Sequence, residues 1–271
     1  MGYNTHEMQK QTRTILFVIC LLVFFLAAPS AILYSQGYRF DFEQKKITRT
    51  GAFYAKVLPR GAKIYLNGKL RGTTSFIDSS LLVENLLPGK YATEIKKDGY
   101  GTWEKTLTVR EKEVTEAKHV TLFPQDVKFE FSANFAGINE EKQDEIPKEL
   151  IGLNFKNFFI SPDKKRVVYF TDHEIMILFL DNQYDLGQAQ GNTIFLTRFS
   201  EKIDKVIWLN NYYILFNAGN NIKVTEIDNR DRLNMFDLFE IKNPNIYWDK
   251  NAKILYIQSE EKFYKAIDLL P

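Results

Sequence analysis

The sequence predicts a mainly β protein carried behind one N-terminal apolar helix, and three observations predict it. No Asp, Glu, Lys, Arg or His stands between Arg13 and Arg39. Residues 50–122 alternate apolar and polar side chains between the turn dipeptides Asn67-Gly68, Pro88-Gly89 and Asp98-Gly99, the punctuation of short antiparallel strands. Beyond Leu150 an aromatic-rich strand–turn–strand pattern recurs, which signals stacked structural units. A chain of 271 residues has room for more than one core, and its 22 Phe, 14 Tyr and 3 Trp argue against disorder.

The helix comes first. Behind a tail of residues 1–13, Ile15–Leu26 is unbroken apolar sequence and continues as Ala27-Ala28-Pro29-Ser30-Ala31-Ile32-Leu33-Tyr34. Residues 14–34 are therefore read as a transmembrane helix, since a bilayer core takes about 20 largely apolar residues. A buried soluble helix fits poorly with so long an uncharged run. A cleaved signal peptide is the closer rival, because Ala28-Pro29-Ser30 places small residues before a cut at Ala31. The apolar run goes on past that point, as an uncleaved anchor would. Cys20 follows Val18-Ile19, without the small residue that a lipoprotein signal requires, and reads as an apolar residue of the helix. As the only cysteine it allows no internal disulfide. The lipid bilayer is thus the first expected partner, through residues 14–34. Lys10 and Arg13 precede the span while Arg39, Lys45, Lys46 and Arg49 follow it, a count that by itself slightly favours the large domains inside.

Residues 35–49 are expected as a juxtamembrane strand or linker, with Tyr34 and Tyr38 at the interface. A small β-sandwich is expected over 50–123. Its first strand, Ala52–Leu58, stops at Pro59, which lacks a ladder donor. Ile64 and Leu66 then share a face before Asn67-Gly68, as do Tyr91, Thr93 and Ile95, and later Trp103, Leu107 and Val109. The ordered set Pro59-Arg60-Gly61-Ala62, Asn67-Gly68, Gly72-Thr73-Thr74-Ser75, Leu87-Pro88-Gly89 and Asp98-Gly99-Tyr100 resembles the PEGA family. That resemblance covers about a quarter of the chain. It implies a non-catalytic module on the outer side of a bacterial or archaeal membrane. Two positions depart from the family pattern: Arg60 stands where the family carries Glu, and Ser75 where it usually carries Pro. The signature residues are turn-makers and core residues, which suits a spacer or presenting module whose binding face lies beyond Leu150.

Residues 124–149 are expected as a linker with a candidate strand at Asp126–Phe131, and Glu140–Glu145 as a solvated run. In 150–271 the strand pairs Phe158–Ile160 and Val167–Phe170, Val206–Trp208 and Tyr213–Phe216, and Ile246–Trp248 and Lys253–Tyr256 flank short polar turns. Each pair is followed by another strand, at Ile175–Leu178, Ile222–Val224 and Phe263–Ile267. The spacing from Ile160 to Trp208 to Trp248 resembles the roughly 40–50-residue interval of β-propeller blades. About three such units make an incomplete β-propeller-like domain, with a short β-sandwich as the alternative fold. Three blades do not close a ring, so uncovered edges are expected to favour self-association or a protein partner, unless Val127–Phe131 joins a unit.

The formal charge is +2. Taking Lys10 and Arg13 from the 36 basic residues and Glu7 from the 34 acidic ones leaves 34 against 33, so nucleic acid is not an expected partner. No catalytic, cofactor or metal site is expected. His6, His119 and His173 are isolated in the sequence, and no His-Glu-x-x-His, paired-Cys, phosphate-loop or Gly-x-Ser-x-Gly motif occurs. Asp228-Asn229-Arg230-Asp231 reads as a solvated turn, with Arg230 and Arg232 offsetting its acids. Tyr212-Tyr213 and Tyr247-Trp248 have the rings to stack on sugars, but core packing is the favoured reading. The expected function is non-catalytic, an envelope protein of the cell membrane whose soluble domains lie outside and bind cell-wall polysaccharide or another protein. Two alternatives stay open: an enzyme with a loop-built site in the C-terminal half, and an inward-facing sensor or scaffold.

Overall fold

The computed structural model describes residues 10–132 and 145–270. Most of the tail, with His6, and residues 140–144 of the acidic run lie outside these. The chain divides into two compact units: Met1–Phe53 with Val83–Gly89 and Val109–Thr115, and Tyr54–Leu82 with Lys90–Thr108 and Glu116–Pro271.

In the first unit, helix α1 (Lys10–Ser35) has 26 residues and no buried side chain. At 1.5 Å per residue it is about 39 Å long, against a hydrocarbon core of about 30 Å. It is the one helix among the described residues long and apolar enough to cross a membrane. Pro29 offers no N–H to the preceding turn, and beside it the Ser30 hydroxyl bonds the Leu26 carbonyl at 2.7 Å. Gly37, at φ 82°, turns the chain out of the helix. The segment expected as a strand or linker is then a hairpin, β1 (Tyr38–Asp41) and β2 (Lys46–Arg49), with Phe40 opposite Ile47. The Asp41 carboxylate holds its turn by accepting from the amides of Glu43 (2.9 Å) and Gln44 (3.0 Å).

Seven strands follow: β3 (Gly51–Leu58), β4 (Lys63–Leu66), β5 (Lys69–Thr73), β6 (Ser80–Leu86), β7 (Gly89–Lys96), β8 (Trp103–Val109) and β9 (Val114–Thr121). They form a sheet of order β6-β3-β9 and another of order β5-β4-β7-β8. Asn67 and Gly68 sit at φ 51° and 72°, the left-handed pair of a tight hairpin turn. Exposed Arg60 donates to the Phe76 carbonyl at 2.9 Å while its own carbonyl accepts from Lys97, so the loop closes without an acid at that position. Thr74 is buried and ties its amide and hydroxyl to Ala62. Alternate residues of β8 are buried: Trp103, Lys105, Leu107 and Val109. Three of these were expected to share a face; Lys105 is the polar intruder.

Strand β10 (Phe129–Ser132) leads to three four-stranded antiparallel sheets. The first comprises β11 (Asn157–Ile160), β12 (Arg166–Phe170), β13 (Glu174–Phe179) and β14 (Thr193–Arg198). The second comprises β15 (Ile203–Trp208), β16 (Tyr213–Ala218), β17 (Asn221–Glu226) and β18 (Met235–Glu240). The third joins β19 (Asn245–Asp249), β20 (Ile254–Ser259) and β21 (Lys262–Ala266) to β10, so the candidate strand near Val127–Phe131 does complete a unit. One apolar core, including Phe170, Ile177, Trp208 and Phe216, lies between the first and second sheets. Another, including Tyr213, Val224, Ile246 and Leu255, lies between the second and third. Strand β16 is consequently buried along its whole length. The propeller-like expectation is carried as far as stacked four-stranded sheets; the described residues form no closed ring.

Candidate functional site

The second unit contains both most of the sandwich and the three C-terminal sheets, and they meet through an internal polar network. Lys105, on the buried face of β8, reaches Glu226 at the end of β17, Nζ to Oε1 2.8 Å, with both side chains almost wholly buried. Its ammonium also donates to the carbonyls of Asp228 (2.8 Å) and Arg232. The Glu226 carboxylate accepts from Trp103 Nε1 (2.8 Å) and from the amide (2.9 Å) and side chain (2.6 Å) of Asn234. Asn234 in turn bonds the backbone of Glu104 on both sides, and Asp231 accepts from the Thr106 amide at 2.6 Å. Burial pushes the Glu226 carboxyl above its ordinary range, opposed by the Lys105 charge. Satisfied on every side, this network fixes β8 to the second sheet as a joint, beside a small cavity lined by Trp103, Glu226, Asp228 and His119.

Beside the joint lies an open groove. One stretch, of about 450 Å³, is lined by Tyr54, Lys56 and Leu58 of β3, Lys118–Thr121 of β9, and Asn210 and Tyr212 of the β15–β16 turn. A second, of about 380 Å³, shares Leu58, Thr121 and Asn210, and continues along Pro162, Asn211, Trp248, Lys250 and Lys253. The first turns of all three sheets therefore come to one trough: Pro162 from β11–β12, Asn210 and Asn211 from β15–β16, and Lys250 and Lys253 from β19–β20. Four lysines and no acid line these two stretches. Lys118 among them is paired with Glu116 at 2.5 Å; a lysine-lined trough with tyrosine and tryptophan rings has the groups to meet an extended anionic ligand.

The floor of the trough is well held. His119 stacks on Tyr212, centroids 3.4 Å apart at 10°, and its Nε2 lies 3.1 Å from Asp185 Oδ2. That hydrogen bond holds the Asp185 carboxyl below the usual carboxylate range, against partial burial. The Arg166 guanidinium, fully buried, lies 4.5 Å from the centre of the Tyr212 ring and bonds Asp163 at 2.9 Å and the Asn211 carbonyl at 3.1 Å. Tyr213 is buried and takes the Thr121 amide on its hydroxyl at 2.9 Å; burial drives that phenol well above its ordinary range.

His119 is thus a groove residue with an acid beside it, where the sequence showed an isolated strand histidine. His173 stays apart, in an exposed bend against the Glu201 carbonyl. Asp228–Asp231, expected as a solvated turn, is instead part of the joint: Asp228 pairs with Arg230 at 2.8 Å with both side chains largely covered, and its carbonyl accepts from Lys105. Among the described residues no cluster of His, Cys, Asp or Glu is arranged for a metal. Tyr213 is a core residue, whereas Tyr212 and Trp248 are half-buried, packing on the core with one side and lining the groove with the other. Lys105 and Arg166 give little signal in the sequence: Lys105 is a charge in a core slot of the β8 alternation, and Arg166 opens a strand buried along its whole length.

With this geometry in view, the family comparison is decisive for one segment. Residues 56–122 match the PEGA domain family. The PEGA domain supplies the β3 and β9 wall of the groove and the Trp103–Lys105 side of the joint. No curated protein matches the chain. Among solved structures, candidate 6-phosphogluconolactonases from Bacteroides uniformis and Bacteroides fragilis are 10% and 11% identical with a TM-score of 0.29, and 81% of this chain covers 83% and 82% of theirs. A DUF3823 family protein from Bacteroides ovatus is 9% identical at a TM-score of 0.22, over 70% of this chain and 98% of that one. Likenesses this distant carry no argument about fold or activity.

Proposed function

We propose that the protein is a non-catalytic, single-pass envelope protein that holds an extended anionic polymer, a cell-wall polysaccharide being the first choice, in the groove between its PEGA domain and the turns of its C-terminal sheets. The groove is the observation that carries this reading: it is long, open, lysine-lined and floored by ordered rings. Its walls come from both the PEGA domain and the sheets, so the PEGA domain is a partner in binding as well as a support. The sheets behave as a short propeller-like array in which each packs on the next. Helix α1 is the anchor, and the PEGA domain favours an outward orientation.

The enzyme reading has one specific observation in its favour, the His119–Asp185 pair. Its linings, among the described residues, include no serine or cysteine for that pair to activate. The stacked ring is suited to shaping the floor. Protease added to intact cells is expected to remove the domains beyond residue 50 and to leave a short membrane-bound fragment; protection until lysis would overturn the orientation. Purified full-length protein in nanodiscs is expected to bind isolated anionic wall polymer without shortening it, and release of polymer fragments would favour the enzyme.

A further inference from the structure

The hairpin β1–β2 belongs to the first unit with α1, and its two faces differ. Asp41 and Thr48 point to the buried side, where the Thr48 hydroxyl bonds Glu111. The opposite face carries Tyr38, Phe40 and Ile47, with Phe42 just past the strand. Phe40, Phe42 and Ile47 are 48%, 82% and 62% exposed, and the two phenylalanine rings stand edge to face at 5.0 Å. Such an apolar cluster is costly in water.

Three observations name what covers it. The cluster begins within a few residues of the end of α1, which keeps it close to the end of the anchor. The connection is stiff: the Arg39 guanidinium lies 3.5 Å from the Tyr34 ring centre and donates to the carbonyls of Tyr34 (2.7 Å) and Tyr38 (2.9 Å) and to Asn85 (2.8 Å). Thr50 closes the same corner through its amide bond to the Gly37 carbonyl at 2.9 Å. Finally, the hairpin is rich in cations: Arg49 shares the face of Tyr38, Phe40 and Ile47, Lys45 sits in the turn, and Arg39 and Lys46 lie on the other face, while the Asp41 carboxylate is spent on the turn. Aromatic rings flanked by Arg and Lys are the composition of a membrane interface.

We propose that the outer face of the β1–β2 hairpin is a second membrane contact, seated at the headgroup–acyl boundary of an anionic bilayer with Phe40, Phe42 and Ile47 inserted. The inference rests on the anchor reading of α1. The test uses the full chain in vesicles containing phosphatidylglycerol, with a nitrobenzoxadiazole label on Phe42→Cys, Ile47→Cys or Lys46→Cys in a Cys20→Ala background, and on native Cys20 separately. Shallow nitroxide lipids are expected to quench positions 42 and 47 at least twofold more than position 46, and deep nitroxide lipids to quench Cys20. Quenching of Cys20 with none at 42 and 47 overturns the hairpin contact and leaves the anchor standing. Equal quenching at 42, 46 and 47 also overturns it, as does a blue-shifted label untouched by lipid nitroxides, which assigns the face to a protein. No quenching at Cys20 removes the anchor itself, and the hairpin contact falls with it.

Discussion

Lys105 directs its three ammonium hydrogens to Glu226 and to the carbonyls of Asp228 and Arg232, so removing it strands a buried carboxylate. Breaking one half of a buried pair costs about 3–5 kcal/mol. Lys105→Met is expected to lose that much in denaturant unfolding, and Lys105→Met with Glu226→Gln to recover part of it, because the amide carries no charge and its oxygen still accepts from Trp103, while its NH2 meets the Asn234 donors. Acid tells the two carboxyls of this region apart. Asp185 is held below 3.8, so its ionised form adds stability above that value, and the addition vanishes as the pH falls through its folded pKa. Glu226 is raised above 4.5, so the folded state takes up its proton more readily, and this group's contribution declines as the pH climbs through that range. Asp185→Asn is therefore expected to lose less stability than the parent between about pH 5 and pH 3, read from unfolding curves at each pH.

Strand β10 shows what one element contributes. It pairs with β21, Phe129 opposite Ala266, and the Phe129 ring stacks on Phe239 of the second sheet at 4.1 Å. Phe129→Ala is expected to cost about 2–3 kcal/mol from half-buried area and the lost ring pair, with the loss appearing in the melting of the C-terminal sheets. Elements of this kind were unevenly legible. The strands β3, β4, β7, β8, β12 and β16 were visible because buried alternation or continuous apolar runs end in turn residues. Strands β14 and β18 were not foreseen. Each lies at a sheet edge and buries a single large apolar residue, Leu196 or Leu238, so burial leaves little pattern to read. The β1–β2 turn has no glycine; Lys45 takes the positive φ of 51° in its place. The groove's turns were each recognisable, yet their meeting at one trough, and the pairing of Lys105 with Glu226 across 121 positions, are products of the fold that local sequence does not encode.

At the scale of the molecule, most of the PEGA domain and the three sheets share one compact unit, and the groove is lined by both. Exposed Lys56 and Lys253 stand on different walls of it. Lys56→Glu with Lys253→Glu is expected to weaken retention of anionic wall polymer at least tenfold while leaving the melting temperature unchanged, and the parent's binding is expected to fall with added salt. The pairing of β10 with β21 also has a consequence for biogenesis. Residues 129–132 leave the ribosome on the order of ten seconds before 262–266 do, at 5–20 residues per second. Throughout that interval β21 is not there to pair with β10, and Phe131 lies on an unzipped edge. Until β21 emerges, that edge is open to pairing with neighbouring chains, so the order of synthesis, and not the finished fold, sets when this protein is most exposed to aggregation.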